Sequence, residues 1–132
     1  MGATVCDAVT ADPDLELVAA VDPACVGTVI HGISIAADPR AMADAGVQVA
    51  IDFTIAAASR TNLQWCALHG VHAVVGTTGF TDTDIAGFRS VFSSSNCLIA
   101  ANFAISAVLM MKFAEMASPW FETAEIIELH HD

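Results

Sequence analysis

Basic residues are scarce in this chain. Arg40, Arg60, Arg89 and Lys112 stand against 15 Asp and Glu, and the formal net charge is −11. That balance repels phosphate backbones and anionic lipid, which argues against nucleic-acid and membrane partners. The plain reading of the acidity is solubility. Cysteine pairs are missing too: Cys6, Cys25, Cys66 and Cys97 form no C-x-x-C and sit mostly in apolar patterns. Buried free thiols in a reducing compartment are therefore expected. The first residues have no charged segment leading into an apolar stretch, and the apolar runs break well before membrane-spanning length, so a cytoplasmic protein is expected. No internal repeat, low-complexity linker or zinc-ligand spacing is present. Charged residues make up only 14% of the chain and hydrophobic ones 55%, which favours a folded core over disorder. At 132 residues there is room for one domain, but little for a complete two-domain enzyme.

What is there centres on VVGTTGF at 74–80, a β-branched run ending in a Gly-Thr-Thr-Gly turn. The run reads as a buried strand, and its glycines let the backbone turn sharply and approach a ligand. VQVAIDFT at 47–54 and CLIAANF at 97–103 end in comparable polar tips. Three neighbouring tips at the carboxyl ends of parallel strands would form one crevice, the usual binding place in an open α/β sheet. The rest of the pattern agrees. Residues 1–10 read as a helix with Val5, Cys6 and Val9 on one side, 15–21 as a strand, 25–32 as a loop, and 33–35 as a short strand. A small helix over 39–45 starts from Asp38 as cap with Pro39 following. Residues 56–69 form a helix in which Leu63, Trp65, Ala67 and Leu68 are available for packing, closed by Gly70. Thr81 and Asp84 suit a capping box for a helix carrying Ile85, Phe88 and Phe92. A strongly apolar helix follows over 104–117, with Ser106 as cap and Met110, Met111 and Met116 as core filler. A strand covers 122–129. The β-α-β alternation predicts an α/β fold with a doubly wound parallel sheet.

Several residues are candidates for chemistry. Asp22 ends the first readable strand, 20 residues after Gly2. In dinucleotide-binding folds an acid at that offset accepts from ribose hydroxyls, and its charge disfavours a 2′-phosphate, so NADH is preferred over NADPH. Gly76, Thr77 and Thr78 offer N–H groups and hydroxyls to a nicotinamide nucleotide. Asn102 and Phe103 end the next strand, where an aromatic can wall the ring and exclude water. Asp52, Phe53 and Thr54 line the same rim. His130 and His131 face opposite ways if extended, so they make a poor chelating pair, but one of them suits acid–base work near neutral pH.

IDFT at 51–54, VVGTTGF at 74–80, AANFAIS at 100–106 and EIIELHH at 125–131 occur in an order and spacing that resemble the dihydrodipicolinate reductase family. The resemblance spans nearly the whole chain. It implies NAD(P)H contacts at Asp22, Gly76, Thr77, Thr78, Ala100, Ala101, Asn102 and Phe103, with His130 as proton donor and acceptor and His131 as a contact to a substrate carboxylate. It implies the reduction of 4-hydroxy-tetrahydrodipicolinate to tetrahydrodipicolinate for diaminopimelate and lysine synthesis. It also implies a small dicarboxylate substrate, no metal, and a homotetramer for the full-length enzyme.

The chain departs from the family pattern in four places. The family opens with a strand and a G-x-x-G-x-x-G turn, of which Met1-Gly2 remains. A lysine and an S-G-T loop that follow the histidine pair are not in the sequence. Ser106 stands where glycine is usual, and Pro23 replaces an arginine that some members use for NADPH. The expectation is a fragment truncated at both ends. It would hold a Rossmann-type dinucleotide-binding domain over 1–103 that lacks its first strand, then the start of an α+β substrate-binding and tetramerisation domain over 104–132. Weak cofactor binding and no turnover are expected of such a fragment alone. Two rivals remain: a fragment of another Rossmann NAD(P)-dependent dehydrogenase, and a non-catalytic nucleotide-binding remnant.

Overall fold

The computed structural model describes residues 1–127, in two compact units, Met1–Ala101 and a second from Asn102 onward. In the first unit, helix α1 (Gly2–Ala11) buries no residue, with Val5, Cys6 and Val9 half-buried along one side. The strand expected over 15–21 is reduced to a single parallel bridge, Val21 to Ala36. Ala36 N–H donates to Ala20 at 2.9 Å, and Asp22 N–H donates to Ala36 at 2.9 Å. A ladder needs a neighbour along its length, and this one soon turns away into the 3-10 helix Pro39–Met42. That helix is shorter than the one expected over 39–45, though Asp38 caps it as expected by accepting from Arg40 N–H at 2.9 Å.

The expected loop at 25–32 contains half of a hairpin. Strand β1 (Val29–Ile30) pairs antiparallel with β2 (Ile33–Ser34). His31 and Gly32 between them have φ of 48° and 83°, the left-handed pair that a two-residue hairpin turn requires. His31 Nε2 lies 2.7 Å from Asp7 Oδ1, which ties the hairpin to α1.

The sheet that organises the unit has three parallel strands: β3 (Val49–Asp52), β4 (His72–Val75) and β5 (Cys97–Ile99), in that order. Helix α2 (Ala56–Leu68) connects β3 to β4, and α3 (Asp82–Val91) connects β4 to β5. Alternate residues of β4 face the core, so Ala73 and Val75 are buried together with Leu63 of α2 and Phe88 of α3. Phe80, Ile85, Phe92, Cys97 and Ile99 pack around them. The opposite face carries Val49, Ile51 and Leu98, all exposed, so the run at 47–53 is covered on one side rather than buried on both. Among the described residues β3 pairs only with β4.

Local stop and start signals act as read. Gly70, with φ of 69°, ends α2, and Val71 N–H returns to Cys66 at 2.9 Å. Thr81 and Asp84 form the capping box of α3. Asp84 also receives the Arg60 guanidinium at 2.7 and 2.8 Å, which links α3 to α2. Arg60 first, and then the bonds from Thr81, hold the Asp84 carboxyl well below the usual carboxylate range. Leu68 is not a packing residue: it faces solvent.

All four cysteines are free, but only Cys66 is buried; Cys25 is exposed and the other two are intermediate. Burial raises the Cys66 thiol to about 11, so little of the reactive thiolate forms there near neutral pH. With iodoacetamide on the native protein at pH 8, Cys25 should be alkylated first and Cys66 only after unfolding. Equal native labelling of the two would contradict this packing.

The second unit holds α4 (Ile105–Ala117) and the 3-10 helix Ser118–Trp120. Its helix is capped by Ala104 without a side-chain bond, and Ser106 lies inside it rather than at its start. The helix buries no residue, and Met110, Met111 and Met116 are exposed rather than core filler. No strand forms over 122–127, and the remainder of the strand expected over 122–129 lies outside the described residues.

Candidate functional site at the strand tips

The parallel register aligns Asp52 with Val75 and Val75 with Ile99. The ladder continues one step past the strands: Gly76 N–H donates to Asp52 O at 2.9 Å, and Ala100 N–H donates to Val75 O at 3.0 Å. The tips carrying Asp52 to Thr54, Gly76 to Thr78, and Ala100 and Ala101 therefore sit side by side at the carboxyl end of one sheet. This is the crevice end of an open α/β sheet.

At its centre is a buried carboxylate. Asp52 is 7% exposed. Its Oδ1 accepts from Thr54 N–H at 2.9 Å, Thr54 Oγ1 at 2.7 Å and Thr77 Oγ1 at 3.0 Å, and its Oδ2 accepts from Asn62 Nδ2 at 2.9 Å. Burial alone would push this carboxyl up. The bonds from Asn62, Thr54 and Thr77 together outweigh burial and hold it below its ordinary value. Asn62, on α2, is the member of the cluster that sequence reasoning missed. Its one signal is an amide next to the buried Leu63 of α2.

Thr77 is 4% exposed, and its single hydroxyl proton is shared between Asp52 Oδ1 and Thr54 O, the latter at 3.1 Å. Its hydroxyl is thus committed inward, and what it offers outward is its backbone. Among the described residues, the N–H groups of Thr77, Thr78 and Gly79 find no acceptor. Thr78 is exposed, and its hydroxyl makes no hydrogen bond among the described residues. Consecutive free N–H donors at a strand tip suit the oxygens of an anionic or carboxamide-bearing ligand. The residues present therefore fit the ribose and carboxamide of a nicotinamide nucleotide.

Gly76 is required for a different reason than a turn. Its own φ is not positive, but a Cβ built on it would run into the Phe53 ring. The absence of a side chain lets the aromatic of one tip lie over the backbone of the next.

The other expected site residues are placed as follows. Asp22 is exposed, and its Oδ1 accepts from Ala24 N–H at 2.8 Å, so one carboxylate oxygen shapes its own turn. Among the described residues, no ladder joins its segment to the three-stranded sheet. Asn102 and Phe103 belong to the second unit, where Asn102 Nδ2 lies 3.7 Å from Met111 Sδ. His130 and His131 lie outside the described residues. Among the described residues, no group of three or more His, Cys, Asp or Glu is placed to hold a metal ion, and no helix is long and apolar enough to cross a membrane.

The family model described as dihydrodipicolinate reductase, N-terminus, matches residues 1–103. The chain is 43% identical to the 4-hydroxy-tetrahydrodipicolinate reductase of Corynebacterium urealyticum, covering 99% of this chain and 49% of that protein. It is 42% identical to that of Streptococcus pneumoniae, covering 100% of this chain and 52% of the relative. The chain thus spans about half the length of the curated relatives it matches. A solved structure, dipicolinate-bound dihydrodipicolinate reductase from Paenisporosarcina sp. TG-14, superposes with a TM-score of 0.72 at 27% identity. That match covers 91% of this chain and 49% of the other. With a Rossmann-type parallel sheet, aligned polar tips and a family match over 103 residues, the chain belongs to the dihydrodipicolinate reductase family.

Proposed function

We propose that this chain is the nicotinamide-binding half of a 4-hydroxy-tetrahydrodipicolinate reductase. That enzyme reduces its cyclic dicarboxylate substrate, with loss of the 4-hydroxyl as water, to tetrahydrodipicolinate in diaminopimelate and lysine synthesis. The observation that carries the reading is the row of adjacent parallel tips, where free N–H donors at Thr77 and Thr78 stand beside Ala100 and Ala101. When bound, the reduced nicotinamide supplies a hydride. Residues 76–78 orient it by their backbone and Ala100 and Ala101 continue the same rim, while the family resemblance assigns Asn102 and Phe103 to the cofactor as well. His130 exchanges the balancing proton with the reacting substrate, and His131 holds one of its carboxylates. Residues 1–103 serve the cofactor, and those from 104 begin the substrate-binding and tetramerisation domain of a cytoplasmic homotetramer.

Asp22 supports a preference for NADH. A carboxylate at this offset accepts from ribose hydroxyls and repels a 2′-phosphate, Asp22 is exposed, and an overall charge of −11 adds to that repulsion. Fluorescence titration of the whole protein should give a Kd for NADH about tenfold below that for NADPH, roughly 1.4 kcal/mol. Equal affinities would overturn the preference. Absence of binding to both nucleotides in a full-length reductase carrying this chain as its cofactor half, together with failure of that full-length protein to rescue a strain requiring diaminopimelate, would overturn the reductase reading itself.

A further inference from the structure

Asp52 has no proposed contact with substrate or cofactor, yet it is the most heavily bonded side chain at the strand tips. Its carboxylate takes donors from three separate elements: Thr54 just past β3, Asn62 on α2, and Thr77 in the loop after β4. The same residue's backbone carbonyl receives Gly76 N–H at 2.9 Å. Thr77 closes the circuit by sharing its proton with Thr54 O. The free N–H groups of Thr77 and Thr78 therefore extend from a peptide segment whose direction is fixed at Gly76 and at the Thr77 side chain.

We infer that Asp52 is a positioning residue: through Thr77 and Thr54 it sets the conformation of residues 76–79, so that their unpaired N–H donors point in one direction before any ligand arrives. The value of such an arrangement is preorganisation. Ordering a loop on binding costs conformational entropy, and a loop ordered beforehand spares that cost. A buried carboxylate serves this better than a neutral amide because it accepts on both oxygens, whereas an amide that kept Thr54 and Thr77 on its oxygen would turn a competing donor toward Asn62 Nδ2. The inference deepens the nicotinamide reading and rests on it for the identity of the ligand, though not for the ordering of the loop.

The test uses three variants and two readouts. Backbone ¹⁵N order parameters of residues 76–79 are measured without nucleotide, and NADH affinity is measured separately. In the parent these residues should give values near about 0.85, typical of rigid backbone, falling below about 0.6 in Asp52→Asn and in Thr77→Val. NADH should bind about tenfold more weakly to both variants, with Tm corrected for by working well below it. Thr77→Ser keeps the hydroxyl and should return both quantities to within about twofold of the parent. Thr77→Val and Thr77→Ser keep the question answerable if Asp52→Asn does not fold. Unchanged order parameters in folded Asp52→Asn or Thr77→Val would overturn the inference, as would Thr77→Ser behaving like Thr77→Val, which would reduce the role to methyl packing. Loosened loops in a protein whose parent never binds NADH would support the positioning role and overturn the nicotinamide reading instead.

Discussion

Gly76→Ala should weaken nucleotide binding by tenfold or more and destabilise the first unit by about 1–3 kcal/mol, the usual range for forcing atoms into a filled site. The added Cβ would overlap the Phe53 ring, and the backbone on both sides of the clash is held. On one side Gly76 N–H is held by Asp52 O at 2.9 Å. On the other, Phe53 sits between Asp52 and Thr54, both fixed by the carboxylate cluster. The backbone of residues 76–78 must therefore swing away from the tip of β3, taking the free donors of Thr77 and Thr78 with it. Gly87→Ala is the matched control. It lies within α3, where a Cβ meets nothing within 4 Å, so the same substitution should stabilise by about 0.4–1 kcal/mol through the unfolded state. Chemical denaturation and NADH titration of both variants measure the contrast. A Gly76→Ala protein with parental midpoint and affinity would mean the ring can move freely, and the close packing of the two tips would have no functional weight.

What could be read from the sequence was local. The Thr81–Asp84 capping box, the Asp38 cap and the Gly70 stop each depend on residues within four positions of one another, and all three form as read. The parallel tips could be read too, because β-α-β alternation with short connections leaves few topologies. The misreadings involve partners distant in sequence. Residues 15–21 have strand composition, but a strand exists only through its neighbours, and Ala36 is the one residue that bridges to them. The methionines of α4 have core composition, yet the described part of the second unit buries none of them. The Asp52 cluster draws on positions 54, 62 and 77, a set that no sequence spacing reveals. Asp52 and Thr54 read only as rim residues, and Thr77 as a ligand contact, until the folded chain turned the Thr77 hydroxyl inward.

Leu63→Ala should cost about 2–5 kcal/mol, the range for deleting a buried leucine whose surroundings cannot fully collapse. Leu63 is 1% exposed and packs with Ala73, Val75 and Phe88 in the single core cluster between sheet and helices. Two of those partners lie on the central strand, whose backbone is held on both sides by β3 and β5, so they cannot follow a shrinking side chain. A loss of that size is a large share of the about 5–15 kcal/mol that holds a typical domain together. It corresponds to roughly 4–8 °C of melting temperature per kcal/mol for a unit of this size. Leu68, five residues and so about 1.4 turns further along the same helix, is 83% exposed, and Leu68→Ala should change stability by less than about 0.5 kcal/mol. Composition gives these two leucines equal standing; only the direction each faces separates them. Urea unfolding followed by circular dichroism decides the matter. A cost below about 1 kcal/mol at Leu63, or a larger one at Leu68, would place the core on a different face of α2 and misalign the helix that carries Asn62 toward the strand tips.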